Sequence, residues 1–198
     1  MLSGISHDLR TPLTRLKLQL ALLKQQDVAK KMSDDIEEME RMLNEYLEFS
    51  RHQKNEETEM VNLNNLIKDI AKKYEGKQIN VNFEENLKIN MRPNAVKRCL
   101  MNLIDNSLSY GKKVEILMKK TIHSIIIFVD DDGPGIPESE YQNVMKPFYR
   151  IDKSRGQNKS GVGLGLSIAN DIIRSHGGNI SLEKSPINGL RVKISLPL

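Results

Sequence analysis

The sequence predicts an α+β chain in two parts: a helical hairpin that dimerises into a four-helix bundle, followed by an α/β sandwich. Two observations predict it. As far as Phe49, apolar residues recur at spacings of three and four, the mark of one apolar helix face; after Met60, helix-like stretches alternate with period-two stretches. Between them RHQKNEETEM, from Arg51 to Met60, is nearly free of apolar residues and reads as a frayed helix end and linker. The expected domains are 1–56 and 57–198.

In the first part Ile5, Leu9, Leu13, Leu16, Leu20 and Leu23 form one stripe and Met32, Ile36, Met39, Leu43, Tyr46 and Phe49 a second, with a lapse at Gln25–Lys31. Two such helices joined by a short connection pack antiparallel. They cannot bury a full seam alone, so a homodimer covers it, unless the hairpin lies on its own second domain. In the second part Leu66-Ile67 and Ile70-Ala71 mark a short amphipathic helix, and Ile79, Val81 and Phe83 a strand. Pro93 opens a helix running to about Tyr110. Strands follow at Lys113–Lys120 and Ser124–Val129, then a loop-rich stretch from Asp130 to Gly163. A helix over about Leu164–His176 and strands at Asn179–Glu183 and Leu190–Leu196 close the chain. Strands on one face and helices on the other make a two-layer sandwich.

Composition narrows the function. Hydrophobic residues are 38% and aromatics 5%, without Trp, so the core must be aliphatic. Thirty basic residues against twenty-six acidic ones make no nucleic-acid footprint. The single cysteine, Cys99, forms no intrachain disulfide, offers zinc no cysteine pair, and fits a reducing compartment. No apolar run approaches the roughly 20 residues a membrane span needs, and no signal peptide is visible. The expectation is a soluble, cytoplasmic fragment of something longer, since Met1 lies six residues before the most informative histidine.

That histidine is His7, in SHDLRTPL. It is out of phase with the apolar stripe, which predicts a solvent-facing ring. Asp8 follows directly, and a carboxylate near imidazole can hold the tautomer and accept a proton. Thr11, four residues on, falls about one helical turn away on the same face. Pro12 removes a helix hydrogen bond at a cost of about 3 kcal/mol and loosens the backbone one turn past His7. HDLRTPL resembles the H-box of histidine kinases, and SHDLRTPLTR is similar to that of the osmosensor EnvZ type. The resemblance implies that His7 is the phosphoacceptor, Asp8 its acid/base and Arg10 a stabilising neighbour. Thr11 would position a water when the same surface dephosphorylates the partner.

The second part carries no Walker loop, HRD or DFG. It has four separated blocks instead. Asn102 and Asn106 place two carboxamides on one helix face, as magnesium-type oxygen donors or merely as polar surface. Asp130-Asp131-Asp132-Gly133-Pro134-Gly135-Ile136 follows an apolar strand. An acidic strand end can accept a hydrogen bond from an exocyclic amine, although a turn explains the glycines equally well. Pro147-Phe148-Tyr149-Arg150 with Ser154-Arg155 offers guanidinium groups for phosphate. Gly161-Val-Gly-Leu-Gly-Leu166 opens a helix whose N-terminal amides suit an anion, or forms a flexible turn.

In order and spacing these blocks resemble the N, G1, F and G2 boxes of the GHKL superfamily, whose Bergerat-type ATP fold the histidine kinases share with Hsp90, gyrase B and MutL. The likeness covers about Asn62–Leu198. It implies ATP and magnesium: Asn106 as the metal ligand with Asn102 beside it, and Asp131 on the adenine amine with Gly133 and Gly135 by the ring. Tyr110 would flank the nucleotide, Arg150 and Arg155 would meet phosphates, and Gly161, Gly163, Leu164 and Gly165 would line a lid hinge. Residues 139–160 are expected to form that lid. The implied partners are a second copy of the chain and a response-regulator receiver domain, and the implied setting is a full-length protein anchored in a bacterial inner membrane through an N-terminal part that is missing here. One position departs: where many relatives carry Lys or Arg three residues after the second asparagine, this chain has Ser109, leaving a phosphate contact to Lys112, Lys153 or Lys159, or unmade. Rival readings are a GHKL ATPase without phosphotransfer and a non-catalytic docking scaffold.

Overall fold

The computed structural model describes residues 13–16, 18–20, 28–30, 32–37, 39–40, 43, 56–151 and 163–198. The chain divides into two compact units, Met1–Asn55 and Glu56–Leu198. Every described residue of the first unit is helical, including 28–30, where the apolar pattern lapses. That stretch, Val28-Ala29-Lys30, contains no Gly or Pro to stop a helix. Leu20 and Ile36 are buried, whereas Leu16, Met32 and Met39 of the same stripes stay exposed.

The second unit runs β1 (Glu59–Asn62), α1 (Leu63–Ala71), β2 (Gln78–Phe83), β3 (Lys88–Met91), α2 (Pro93–Tyr110), β4 (Lys113–Lys120), β5 (Ser124–Asp131), α3 (Gly165–Arg174), β6 (Asn179–Lys184) and β7 (Leu190–Pro197). Five strands form one sheet in the order β2-β4-β5-β7-β6. Only the β2/β4 pair is parallel. β1 and β3 make a separate antiparallel ribbon.

Each helix begins for a local reason. Asn62 caps α1, its side-chain oxygen accepting the Asn65 N–H at 3.0 Å. Pro93 stands in the first turn of α2, where its missing N–H costs nothing. Along α2, Val96, Cys99, Leu100, Leu103, Ile104 and Ser107 form the buried stripe. α2 lies over β4 and β5, α3 beside it over β6, and α1 against β2. Between the layers the core is aliphatic, as expected, with Ile116, Met118, Ile125, Ile127 and Ile172 among its fully buried side chains.

β5 is buried on both faces. Ile126 and Phe128 point away from the helices yet are only 7% exposed. Lys119 and Arg191 lie over the Phe128 ring at 5.3 and 4.4 Å, so cationic stems roof the outer face. β1 and β3 were not legible in the sequence. Each is four residues long; β1 shows no apolar alternation, and β3 offers only one repeat of it, Ile89 and Met91. The chain reaches β3 through a loop held by buried Asn64, which donates to the Glu85 carbonyl and accepts from the Leu87 N–H.

Candidate active site

Pairing on both sides carries β5 beyond its apolar run: Asp131 stands opposite Val114 of β4, and Asp130 opposite Arg191 of β7. The three aspartates at this strand end have three different environments. Asp130 forms a two-point ion pair with Arg191, at 2.7 and 2.9 Å. Asp131 is 3% exposed, and its Oδ1 accepts from the N–H groups of Gly133 (2.9 Å) and Leu190 (3.1 Å). Asp132 is exposed and caps the turn after α2, accepting from the Lys112 and Lys113 N–H groups at 2.7 and 2.9 Å.

Burial raises the Asp131 carboxyl above its ordinary value of 3.8; the Leu190 and Gly133 N–H groups and the Ser107 hydroxyl oppose the shift, while the Asp132 charge adds to it. The N–H bonds from Lys113 and Lys112 hold Asp132 below that value.

Close backbone contacts complete this wall. A Cβ on Gly133 would lie 3.1 Å from the Tyr110 carbonyl oxygen, and one on Gly189 only 2.0 Å from Asp131 Oδ1. Gly135 has φ +70° and abuts the Gly189 carbonyl. Tyr110, at the end of α2, is 52% exposed beside it.

A second wall meets the same helix. Gly165 starts α3 within 4 Å of Asn102, measured from its would-be Cβ. Gly163 has φ +77° and Phe148 φ +64°, and the Phe148 N–H donates to the Gly163 carbonyl at 3.0 Å. The two left-handed residues thus cross where the chain leaves and re-enters the described structure. Tyr149 donates to Glu140 at 2.6 Å, bracing the segment before the crossing.

Residues 91–198 match the family model for histidine kinase-, DNA gyrase B- and HSP90-like ATPases, and residues 1–55 match the His Kinase A phospho-acceptor domain. The chain belongs to the sensor histidine kinases. It is 38% identical over 200 residues to the sensor histidine kinase GtrS of Pseudomonas aeruginosa, covering all of this chain and 41% of that protein. With the sensor histidine kinase CpxA of Escherichia coli K12 the identity is 37% over 212 residues, covering all of this chain and 46% of the relative. The chain therefore spans less than half the length of these relatives. The structure of full-length ShkA in complex with AMPPNP shares the fold, at TM-score 0.72 and 19% identity over 99% of this chain and 45% of that one.

In this histidine kinase core α2 adjoins both walls: Gly165 at the start of α3 lies beside Asn102, Gly133 of the Asp131 loop lies beside Tyr110, and Asn106 falls between those two positions on the helix. Gly135 abuts Gly189, and Gly163 abuts Phe148. Leu164 is buried, anchoring the start of α3. Arg150 is half-buried just past the Phe148 crossing. His7, Asp8, Arg10, Thr11, Arg155 and Gly161 lie outside the described residues. The asparagines are half-buried oxygen donors. Among the described residues no group of three or more His, Cys, Asp or Glu could hold a metal ion.

Three site residues escaped the sequence reading: Ser107, Gly189 and Leu190, all of which meet Asp131. Ser107 did leave a signal, being a polar residue on the apolar stripe of α2. Gly189 and Leu190 left none beyond an Asn-Gly turn. Ser109, at the departing position, donates to the Asp105 carbonyl within its own helix. Cys99 is inert core, its thiol pushed by burial up to about 12.

Proposed function

We propose that the chain autophosphorylates His7 from ATP bound at the α2/β5/α3 cluster. The observation carrying this reading is that one helix, α2, holds Asn102 beside Gly165 at the start of α3 and ends at Tyr110 against Gly133 of the Asp131 loop, in a chain that also holds HDLRTP. Asp131, ionised and anchored through Oδ1, accepts from the adenine amine. Gly133 and Gly135 admit the flat ring, and Tyr110 covers it. The Gly163–Gly165 start of α3 and the guanidinium groups of Arg150 and Arg155 face the phosphates. Magnesium would be held by Asn106 beside Asn102 and would supply charge compensation on the phosphates.

A His7 ring nitrogen attacks the γ-phosphorus. The N–P bond forms as the bond to the bridging oxygen breaks, ADP leaves and Asp8 takes the ring proton. The phosphohistidine then donates to an aspartate of a response-regulator receiver domain. Thr11 positions water for the reverse duty, dephosphorylating that regulator. Exposed Leu16, Met32 and Met39 on the helical stripes support a homodimer through the hairpin. No helix among the described residues is long and apolar enough to cross a membrane. We place this core in the cytoplasm, with any membrane anchor in another part of the full protein.

The test is incubation with γ-labelled ATP. Acid-labile, alkali-stable label is expected on His7 and none on His7→Ala; a nucleotide-binding chain that never acquires it would instead be the docking scaffold that Ser109 hints at. In Thr11→Ala, dephosphorylation of the regulator falls while autophosphorylation survives.

A further inference from the structure

We propose that Asp132 is a positioning residue of the nucleotide site: its carboxylate ties the loop after β5 to the turn after α2 and so sets the gap between Tyr110 and Asp131. The inference rests on the reading of that cluster as the ATP site. Asp132 is exposed and fills no core, yet a single oxygen, Oδ1, accepts two successive amide protons from Lys112 and Lys113. These bonds join residues about twenty positions apart. Strand pairing already fixes Val114 against Asp131 but stops there, leaving the two turns beyond it without a ladder.

Those turns interlock tightly. A Cβ on Gly111 would lie 2.5 Å from Asp132 Oδ1 and 3.1 Å from the Gly133 nitrogen. A Cβ on Gly133 would meet Asp131 Oδ1 at 2.9 Å and the Tyr110 carbonyl oxygen at 3.1 Å. Gly111 has extended backbone, φ −120°, and Gly133 is not among the positive-φ residues, so both are glycine for close approach rather than for conformation. With Asp132 removed, two amides lose their acceptor, and the Tyr110–Lys112 turn can drift from the Asp131–Gly133 loop. Adenine would then meet a wider slot. The same amides and the Lys112 charge keep Asp132 ionised wherever Asp131 is ionised.

The experiment is calorimetric titration of the whole 198-residue chain with AMPPNP and, separately, ADP. Asp132→Ala is expected to weaken both ligands by the same factor, roughly tenfold, at unchanged stoichiometry, as suits loss of the two hydrogen bonds that hold the turns together. Asp132→Asn keeps an oxygen that can accept both protons and is expected to bind within about twofold of the parent. Unchanged affinity in Asp132→Ala overturns the proposal, and so does reduced stoichiometry at unchanged Kd, which marks a merely structural loss. An asparagine variant as weak as the alanine one overturns it too, because charge rather than geometry would then be responsible. Asp131→Ala is measured in parallel. If it binds like the parent, the ATP-site reading fails and takes the Asp132 role with it; if it fails to bind while Asp132→Ala is normal, only the Asp132 role is lost.

Discussion

At its N-terminal end α2 meets Glu56, whose two oxygens accept from the Asn94 and Ala95 N–H groups at 2.5 and 3.0 Å. Past its C-terminal end Asp132 accepts from the Lys112 and Lys113 N–H groups. The chemistry is the same, a carboxylate closing two consecutive amides, but the neighbours differ. Near Glu56 stands His176, with Arg92 beside it donating to the Ser175 hydroxyl, none of them in an ATP motif. His176 Nε2 accepts the Arg92 N–H at 3.1 Å, which leaves Nδ1–H to donate to the Ile172 carbonyl. Glu56 also sits at the positive end of the helix dipole, so its charge stabilises α2 directly. Asp132 adjoins Tyr110, Gly133 and Asp131. One end of the helix therefore anchors the fold, and the other shapes the proposed nucleotide site.

Four experiments sharpen or break this contrast. The largest effect is expected at the wall: Asp131→Ala should weaken AMPPNP binding about a hundredfold, since a charged acceptor is lost from a desolvated site. Near-parental affinity by calorimetry would dissolve the distinction between the two ends. Gly189→Ala comes next. Its methyl would sit 2.0 Å from Asp131 Oδ1, so affinity should drop together with about 1–3 kcal/mol of stability, read by denaturant melts alongside titration.

Glu56→Ala should cost about 1 kcal/mol of stability, as other lost helix caps do, with AMPPNP affinity within about twofold. A large affinity loss there would mean that the anchor is coupled to the site.

The smallest effect is a pH response with a different readout at each end. Burial, with Arg92 adding, lowers His176 below 6.5, against the opposing pull of Ile172 and Glu56. The folded state then binds fewer protons, so this stability is present above 6.5 and is lost as pH falls through the lower folded value. Asp131 is raised above 3.8, so nucleotide affinity should fall on acidification before an ordinary aspartate titrates. In His176→Gln the melting midpoint should lose part of the first response, while titration with AMPPNP should show the second unchanged.

Local patterns foretold the elements that depend on local physics. Pro93 and the α2 stripe marked that helix to its end at Tyr110, and the run Ile125–Val129 marked the central strand. The four blocks proposed to bind ATP stood out in the sequence because each is a short string rich in Gly, Asn, Asp or Arg. What escaped was long-range. β1 and β3 are too short to show a period, and Leu190 reaches Asp131 across 59 residues.

By itself the sequence determined the family and the division into a helical part and a sandwich, and it supplied the side chains on which the proposed chemistry rests: His7 in HDLRTP, the two asparagines and the aspartate–glycine strings. Tertiary structure alone decided how three successive aspartates divide their work. Asp130 pairs with Arg191, Asp131 is buried against Leu190 and Gly133, and Asp132 closes the turn after α2. The reason is physical: identical side chains in a row differ only in what the sheet and helix bring to each of them, and neighbours from distant strands leave no local trace.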